Sequence, residues 1–203
     1  ENKSPRGLVD RLVAASLLRG HSDKAAESLL LELAVDSEPA VCATALKRLL
    51  EINPGLVISI VETVIANSDA NVRHLGAQAL VARPTDTTMT QLGPMLDDPH
   101  PDVRGYVRES LFELASNPQL HFRDVVIRES TKMLSSNRWR GLEQAALLLT
   151  ALDHKPAADR MLELLEFEIE NLEFFIRTTH SPLTTSIPCQ EKPVVDHNHL
   201  LII

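Results

Sequence analysis

A unit of about thirty residues recurs along this chain, and it constrains the fold more than any single residue does. Valines open three apolar helical stripes at equal steps of 31 residues, at Val41, Val72 and Val103. A leucine follows each valine eight positions later, at Leu49, Leu80 and Leu111. A fixed period of roughly 20 to 50 residues is typical of repeat proteins, in which each unit packs only against its neighbours.

A fourth unit is predicted from the same offset. Trp139 and Leu147 lie eight residues apart, after a longer step of 36 residues from Val103. We therefore expect Trp139, the only tryptophan, to fill a core position between units. The alternative is a protein contact, because tryptophan next to arginine is common in interface hot spots.

Helical periodicity predicts four helix pairs at about residues 24–52, 55–83, 86–117 and 121–153, preceded by a helix near 7–19. A proline follows the second helix of each pair, at Pro54, Pro84, Pro118 and Pro156. Proline cannot continue a helix, so these positions mark the joints between units. A final helix is predicted from Ala157 to about Arg177, with Met161, Leu164 and Leu165 facing inward.

The pattern divides the chain into a helical repeat domain at 1–177 and a non-repeat tail at 178–203. The tail contains three prolines and ends in the apolar segment Leu200–Ile203. It is either packed on the repeats of its own or a neighbouring copy, which would allow a homo-oligomer, or an appended extension. Its residues His180, Cys189, His197 and His199 match no common zinc spacing, so no metal or cofactor is predicted.

Composition narrows the classes of function. The net charge is −8 and aromatic residues make up 3% of the chain, which disfavours a nucleic-acid binder that neutralises phosphates and stacks bases. No apolar run reaches the 18 residues of a membrane span. Two cysteines without a paired framework favour a reducing, cytoplasmic setting.

The turn between paired helices resembles that of the HEAT-repeat family. Asp98 to Arg104 carries the family's Asp-x-x-x-x-Val-Arg pattern, and Asn67 to Arg73 is similar, with asparagine in place of aspartate. The first unit has Asp36 but Cys42 where arginine is expected. The resemblance covers about residues 24–168.

This resemblance implies an all-α fold, a right-handed α-α superhelix (a HEAT-like solenoid of the phycobilisome-lyase type) of about four to five helix pairs. The second helices of the pairs would line a concave face. An Asp–Arg ladder would link successive turns, with members Asp36, Asn67, Asp98, Arg73 and Arg104.

Two sets of side chains are candidates for binding a partner. Arg73, Arg104 and Arg140 are predicted to occupy equivalent places and to form a row, which can either receive acidic groups or be used up by the ladder itself. A second set is expected to face away from the core: Lys47, His74, Tyr106 and Arg108.

The leading hypothesis is a non-catalytic scaffold that binds a protein, or another part of a longer chain, on the concave face. No catalytic constellation with recognisable spacing occurs in the sequence. One alternative, which depends on fold analogy alone, is an enzyme or subunit similar to HEAT-repeat phycobilin lyases. A less favoured alternative is a nucleic-acid-binding HEAT-like protein.

Overall fold

The structure, a computed structural model, describes residues 5–166, and within them the chain is helical and has no β-strand. Residues Glu1–Leu162 form one compact unit, and the second unit, Glu163–Ile203, is described only for 163–166. The all-α class is therefore confirmed for the described part. The predicted helix end near Arg177 and the tail at 178–203 lie outside the described residues.

Within residues 5–166, ten α-helices have both of their ends described. They are α1 Pro5–Leu17, α2 Lys24–Leu33, α3 Pro39–Ile52, α4 Pro54–Ile58, α5 Val61–Ile65, α6 Ala70–Ala82, α7 Asp86–Leu92, α8 Pro101–Ser116, α9 Arg123–Leu134 and α10 Trp139–Ala151. Short 3-10 helices span Gly93–Asp97 and Lys155–Ala157, and residues 158–166 are helical. The four predicted helix pairs are confirmed to within three residues at each end.

Local chemistry explains where helices begin. Asp23 accepts the backbone N–H groups of Ala25 and Ala26 and so caps α2. Thr85 and Thr88 form a reciprocal capping box at the start of α7. Such caps satisfy N–H groups that have no partner inside the helix. The capping residues therefore allow the helix start to be predicted from the sequence.

The first helices of the second and third pairs are interrupted, which the sequence analysis did not predict. The segment 54–65 breaks into α4 and α5 at Ile60, whose backbone leaves the helical region with φ −121° and ψ 7°. Helix α7 tightens into the 3-10 helix Gly93–Asp97, which contains Pro94. Proline lacks the N–H that an α-helical turn needs, so it favours this change.

The apolar stripes form the core as the period predicts. The three valines and the three leucines of the first three units are at most 1% exposed. Helix α3 contacts α6, α6 contacts α8, and α8 contacts α10, so the second helices of successive pairs are neighbours. Each pair thereby buries apolar surface that it cannot cover alone.

The register predicted for the fourth unit is wrong by two residues. Trp139 is the first residue of α10 and only half-buried, whereas Leu147 is 48% exposed. The core positions are filled by Gly141, Ala145 and Leu149. Helices α3, α6 and α8 likewise begin two residues before their core valine. Trp139 is therefore equivalent to the first residue of those helices, and Gly141 is equivalent to the core valine.

The last described helix departs from prediction in one further place. Leu165, expected to face inward, is 60% exposed, while Met161 and Leu164 are half-buried. No helix in the described residues is both long and apolar enough to cross a membrane.

Candidate functional site

Four turns, one inside each helix pair, present the same backbone arrangement. The anchor residue of each turn accepts the N–H of the residue two positions later, which is the residue preceding the second helix. The anchors are Asp36, Asn67, Asp98 and Ser136. These N–H···O bonds measure 2.9, 2.9, 2.8 and 3.3 Å in that order. An Asx-type bond of this kind fixes the turn before a helix.

Arg73 links the second turn to the third. Its Nε and Nη2 donate to the two carboxylate oxygens of Asp98, both at 2.7 Å, and its Nη1 donates to the carbonyls of Asn67 and Ser68. Both Arg73 and Asp98 are 7% exposed. The paired fork geometry is the strongest form of arginine–carboxylate contact, and it leaves Arg73 no free edge for a partner.

Arg11 makes a similar but less complete link one unit earlier, in which only its Nη2 forms a hydrogen bond. Its Nε lies 2.7 Å from Oδ2 of Asp36, and its Nη2 donates to Oδ1 at 3.3 Å. Arg11 precedes Asp36 by 25 residues, the separation that also joins Arg73 to Asp98. Arg11 was not predicted as a member of the ladder, although this shared offset was a signal that could have identified it.

The ladder is interrupted at the second turn, where both the arginine and the aspartate of the link are replaced by uncharged residues. An offset of 25 residues before Asn67 falls on Cys42, and neither side chain carries a charge. The Cys42 thiol donates instead to the carbonyl of Asp36 at 2.7 Å. Cys42 is completely buried, and this burial, with the nearby Asp36 charge, raises the pKa of its thiol.

Arg104 stands at the place equivalent to Arg73 but has no carboxylate. Its Nη1 donates to the carbonyls of Asp98 and Pro99, at 2.7 and 3.2 Å. Its Nε is buried without a hydrogen-bond partner among the described residues. The anchor of the fourth turn is Ser136, which cannot form an ion pair.

Arg140 does not occupy the place predicted for it. It is the second residue of α10, and the position equivalent to Arg73 and Arg104 is taken by Leu142. The Nε of Arg140 lies 3.8 Å from Asp97, and its guanidinium lies 5.6 Å from the centre of the Trp139 ring. Asp97 accepts the N–H of Gly141 at 3.0 Å and so caps α10.

The electrostatics of the third turn follow from burial and pairing. Burial opposes the charged form of Asp98, but the bonds from Arg73 and from the His100 N–H outweigh it and hold the pKa of Asp98 below its ordinary 3.8. The contact with Asp98 raises the pKa of Arg73. The pair is therefore charged at neutral pH, and it joins two units rather than a unit to a ligand.

The second set of candidates lies on the second helices. Lys47 of α3 is exposed, and His74 of α6 packs against Tyr106 of α8 with ring centres 4.5 Å apart at 49°. Burial lowers the pKa of His74 and raises the pKa of Tyr106. His74 is therefore a neutral aromatic surface group at pH 7.

Arg108 lies farther along α8 and is already engaged. Its Nη1 donates to Gln144 of α10 at 3.1 Å, and its Nη2 lies 3.4 Å from Glu109. The structure thus brings His74 together with Tyr106, and Arg108 together with Gln144, while no direct contact joins either pair to Lys47.

An open groove of about 660 Å³ runs beside the second and third turns. Its ionisable lining includes Glu62, Asp97 and the Arg73–Asp98 pair. Among the described residues, no group of three His, Cys, Asp or Glu side chains is placed to hold a metal ion. The tail residues His180, Cys189, His197 and His199 lie outside this part of the chain.

Comparisons with known proteins add little to this picture. No protein-family model matches the chain, and no curated protein is significantly similar to it. Among solved structures, a crystal structure of an engineered protein is similar at 18% identity over 77% of this chain and 80% of that chain, with a TM-score of 0.42. A TM-score of 0.42 is too low to assign this chain to the fold of that protein.

Proposed function

We propose that this protein is a HEAT-like α-solenoid that acts as a non-catalytic scaffold and binds a protein partner on the face of its second helices. The proposal includes the right-handed superhelix predicted from the turn pattern. It also includes the reducing, cytoplasmic setting expected from the cysteine usage, with which the free thiol of Cys42 is compatible.

One observation carries the proposal: the second helices contact one another in order and expose the same position in each unit. The core position at the start of each second helix is Val41, Val72, Val103 or Gly141. The residues six positions later are half-buried or exposed, and they are Lys47, Gln78, Glu109 and Leu147. The position is equivalent in every unit, but the side chain differs: it is a cation in the first unit, an amide in the second, a carboxylate in the third and an apolar group in the fourth. Repeat scaffolds use such a surface, in which shared architecture presents different side chains, to recognise extended partners.

The aromatic pair His74–Tyr106 lies on two neighbouring helices of this row. Tyrosine supplies contact area at low entropic cost and is enriched in interface hot spots. We therefore place the centre of the binding face at α6 and α8, with Arg108 beside it.

Affinity capture with the full chain tests the proposal. A variant with alanine at Lys47, Tyr106 and Arg108 is compared with a control variant carrying alanine at Lys24, Thr90 and Arg128. The control residues are exposed and lie on the first helices of the pairs. We expect the first variant to lose specific partners that the control retains, as quantified by mass spectrometry.

Equal retention of every partner by both variants would contradict binding on the second helices. Circular dichroism and thermal unfolding of both variants establish that a loss of capture does not come from unfolding.

A further inference from the structure

The second helices lie side by side and nearly in register. At each joint, a side-chain contact connects positions whose distances from the core residue of their own helix differ by two or less. The contacts are Asn53–Arg83, His74–Tyr106 and Arg108–Gln144, and they join positions 12 and 11, 2 and 3, and 5 and 3. Two residues correspond to about 3 Å along a helix. The residues at position 6 therefore form one row across the second helices, the position-6 row of Lys47, Gln78, Glu109 and Leu147.

The position-6 row is positive at its α3 end. Lys47 is exposed, and the charged residues nearest to it in α3, Arg48 and Glu51, neutralise each other at 2.7 Å. The next member of the row, Gln78 of α6, carries no charge but can donate and accept hydrogen bonds. A carboxylate of a partner is therefore attracted to the α3 end.

The row is negative where it crosses α8. The side chain of Glu109 is 71% exposed, and Glu113, one helical turn later, is also exposed. Against these two carboxylates stands one guanidinium, that of Arg108, whose Nη2 lies 3.4 Å from Glu109 and whose Nη1 donates to Gln144. This part of the row therefore attracts a cation of the partner.

The row ends on an exposed apolar surface at α10. Leu147 is 48% exposed, and Phe112 of α8 is 38% exposed. The offset of two positions between α8 and α10 brings Phe112, at position 9, to about the level of Leu147, at position 6. An exposed apolar pair at this joint favours an aliphatic side chain of a partner.

We propose that the position-6 row binds a proline-rich segment of the partner protein in the polyproline II conformation. The segment carries an acidic, a hydrogen-bonding, a basic and an aliphatic residue, in that order, at every third position. These residues contact Lys47, Gln78, Glu109 and Leu147 respectively. The inference rests on the proposed scaffold function and specifies the chemistry of the partner.

The choice of conformation follows from the spacing of the helices. Polyproline II has three residues per turn and rises about 3.1 Å per residue, so every third side chain returns to the same face after about 9 Å. Packed helices lie about 8–10 Å apart, so one turn of the segment matches one step of the row. In a β-strand, whose side chains alternate, every second one of these residues would point away from the row.

The aromatic side chains of the same helices support this choice. Sites that recognise polyproline II segments are lined by aromatic residues, against which prolines pack. His74 and Tyr106 lie on α6 and α8, within one helical turn of the row, and Phe112 lies on α8 one turn beyond it. Prolines between the four contacting residues can pack against these rings.

Synthetic peptides test the order of side chains. The matching peptide, acetylated and amidated, is Glu-Pro-Pro-Gln-Pro-Pro-Lys-Pro-Pro-Leu, and the exchanged peptide has its Glu and Lys swapped, which keeps composition and net charge. Because the row does not set the direction of the segment, both peptides are also made in reversed order. In calorimetry with the full chain, the matching peptide should bind in at least one direction, at least tenfold tighter than the exchanged peptide, and more weakly as salt increases.

Charge reversal locates the peptide on the row. Lys47→Glu and Glu109→Lys should each weaken binding of the matching peptide about tenfold, because an attraction becomes a repulsion. The double variant should prefer the exchanged peptide, a switch that loss of folding cannot produce. Lys24→Glu, at an exposed position of the first helix α2, should leave binding unchanged.

Three results would overturn the inference: no binding of the matching peptide in either direction, equal affinity for the matching and exchanged peptides, or a double variant that keeps the wild-type preference. If capture of partners still depends on the second helices in that event, the scaffold function stands. Capture that is independent of the second helices would refute the scaffold function itself.

Discussion

Arg73 and Asp98 form an ion pair that is almost completely removed from water, since their side chains are 9% and 5% exposed. A buried pair of this kind adds little net stability, because the cost of removing both ions from water offsets much of their attraction. Removing one partner is far more costly, because the other charge then stays buried without compensation. The pair therefore specifies how two units are joined more than it strengthens the joint.

Asp98→Asn should lower the free energy of unfolding at pH 7 by about 3 kcal/mol. The folded-state pKa of Asp98 is lower than its ordinary 3.8, so its stabilising contribution is complete above about pH 4 and is lost as pH falls through the folded-state value. The difference between wild type and variant should therefore narrow below pH 4. Urea unfolding at pH 7, 5, 4 and 3 measures it.

Asp102→Asn is the matched control, because the Asp102 side chain is 83% exposed. It should change stability by no more than about 0.5 kcal/mol at any of these pH values. A gap between wild type and Asp98→Asn that stays constant from pH 7 to pH 3 would contradict the pairing argument.

Two glycines inside second helices should respond to alanine in opposite directions. A Cβ at Gly76 would lie 2.9 Å from methyl carbons of both Val64 and Ile65, whereas a Cβ at Gly105 would meet nothing within 4 Å. Gly76→Ala should destabilise by about 1–3 kcal/mol through overpacking. Gly105→Ala should stabilise by about 0.5–1 kcal/mol, because alanine favours the helix.

Thermal unfolding of the two variants tests this pair directly. A stabilised Gly76→Ala variant would show that α5 and α6 are packed less closely than the structure indicates.

At the scale of elements, two of the four turns have a charged Arg–Asp link. The first and third turns have Arg11–Asp36 and Arg73–Asp98, while the second has Cys42 and Asn67 at the same 25-residue offset. Both charges are absent together at the second turn.

Restoring the second link should reveal strong coupling. Cys42→Arg alone should be destabilising by about 3 kcal/mol or more, because Cys42 is completely buried and the new charge would lack a partner. Adding Asn67→Asp should recover part of this loss, with a coupling energy of about 1–3 kcal/mol. A double-mutant cycle from urea unfolding measures it, and a coupling energy near zero would refute the equivalence of the two turns.

At the scale of the whole molecule, substantial contacts between described elements join each helix pair to the next pair along the chain. In the repeat stack that we propose, stability is a sum of local terms and nearest-neighbour terms. The effect of a core deletion should therefore fade with distance along the stack.

Leu149→Ala tests this locality in the fourth pair. Leu149 is completely buried, so its truncation should cost about 2–5 kcal/mol. Hydrogen exchange should accelerate in α9 and α10 more than in α2 and α3, and Leu49→Ala should give the reverse pattern. Uniform acceleration along the chain in both variants would indicate one cooperative core instead of a stack.

The sequence by itself determined the helix pairs, their boundaries and the core of the first three units. These features follow from local rules: caps such as Asp23, prolines that end helices, and apolar residues at helical spacing. Arg73 and Asp98 could also be identified as members of a turn pattern, because the pattern recurs with a fixed period.

Only the tertiary structure decided the register of the fourth unit and the partners of each arginine. Trp139 matched the apolar spacing, but close packing against Met133 reserves the core position for Gly141, and no local signal reports that contact. Likewise, Arg73 and Arg104 look equivalent in sequence. Arg73 reaches the carboxylate of Asp98, 25 residues along the chain, whereas Arg104 bonds to the backbone carbonyls of Asp98 and Pro99.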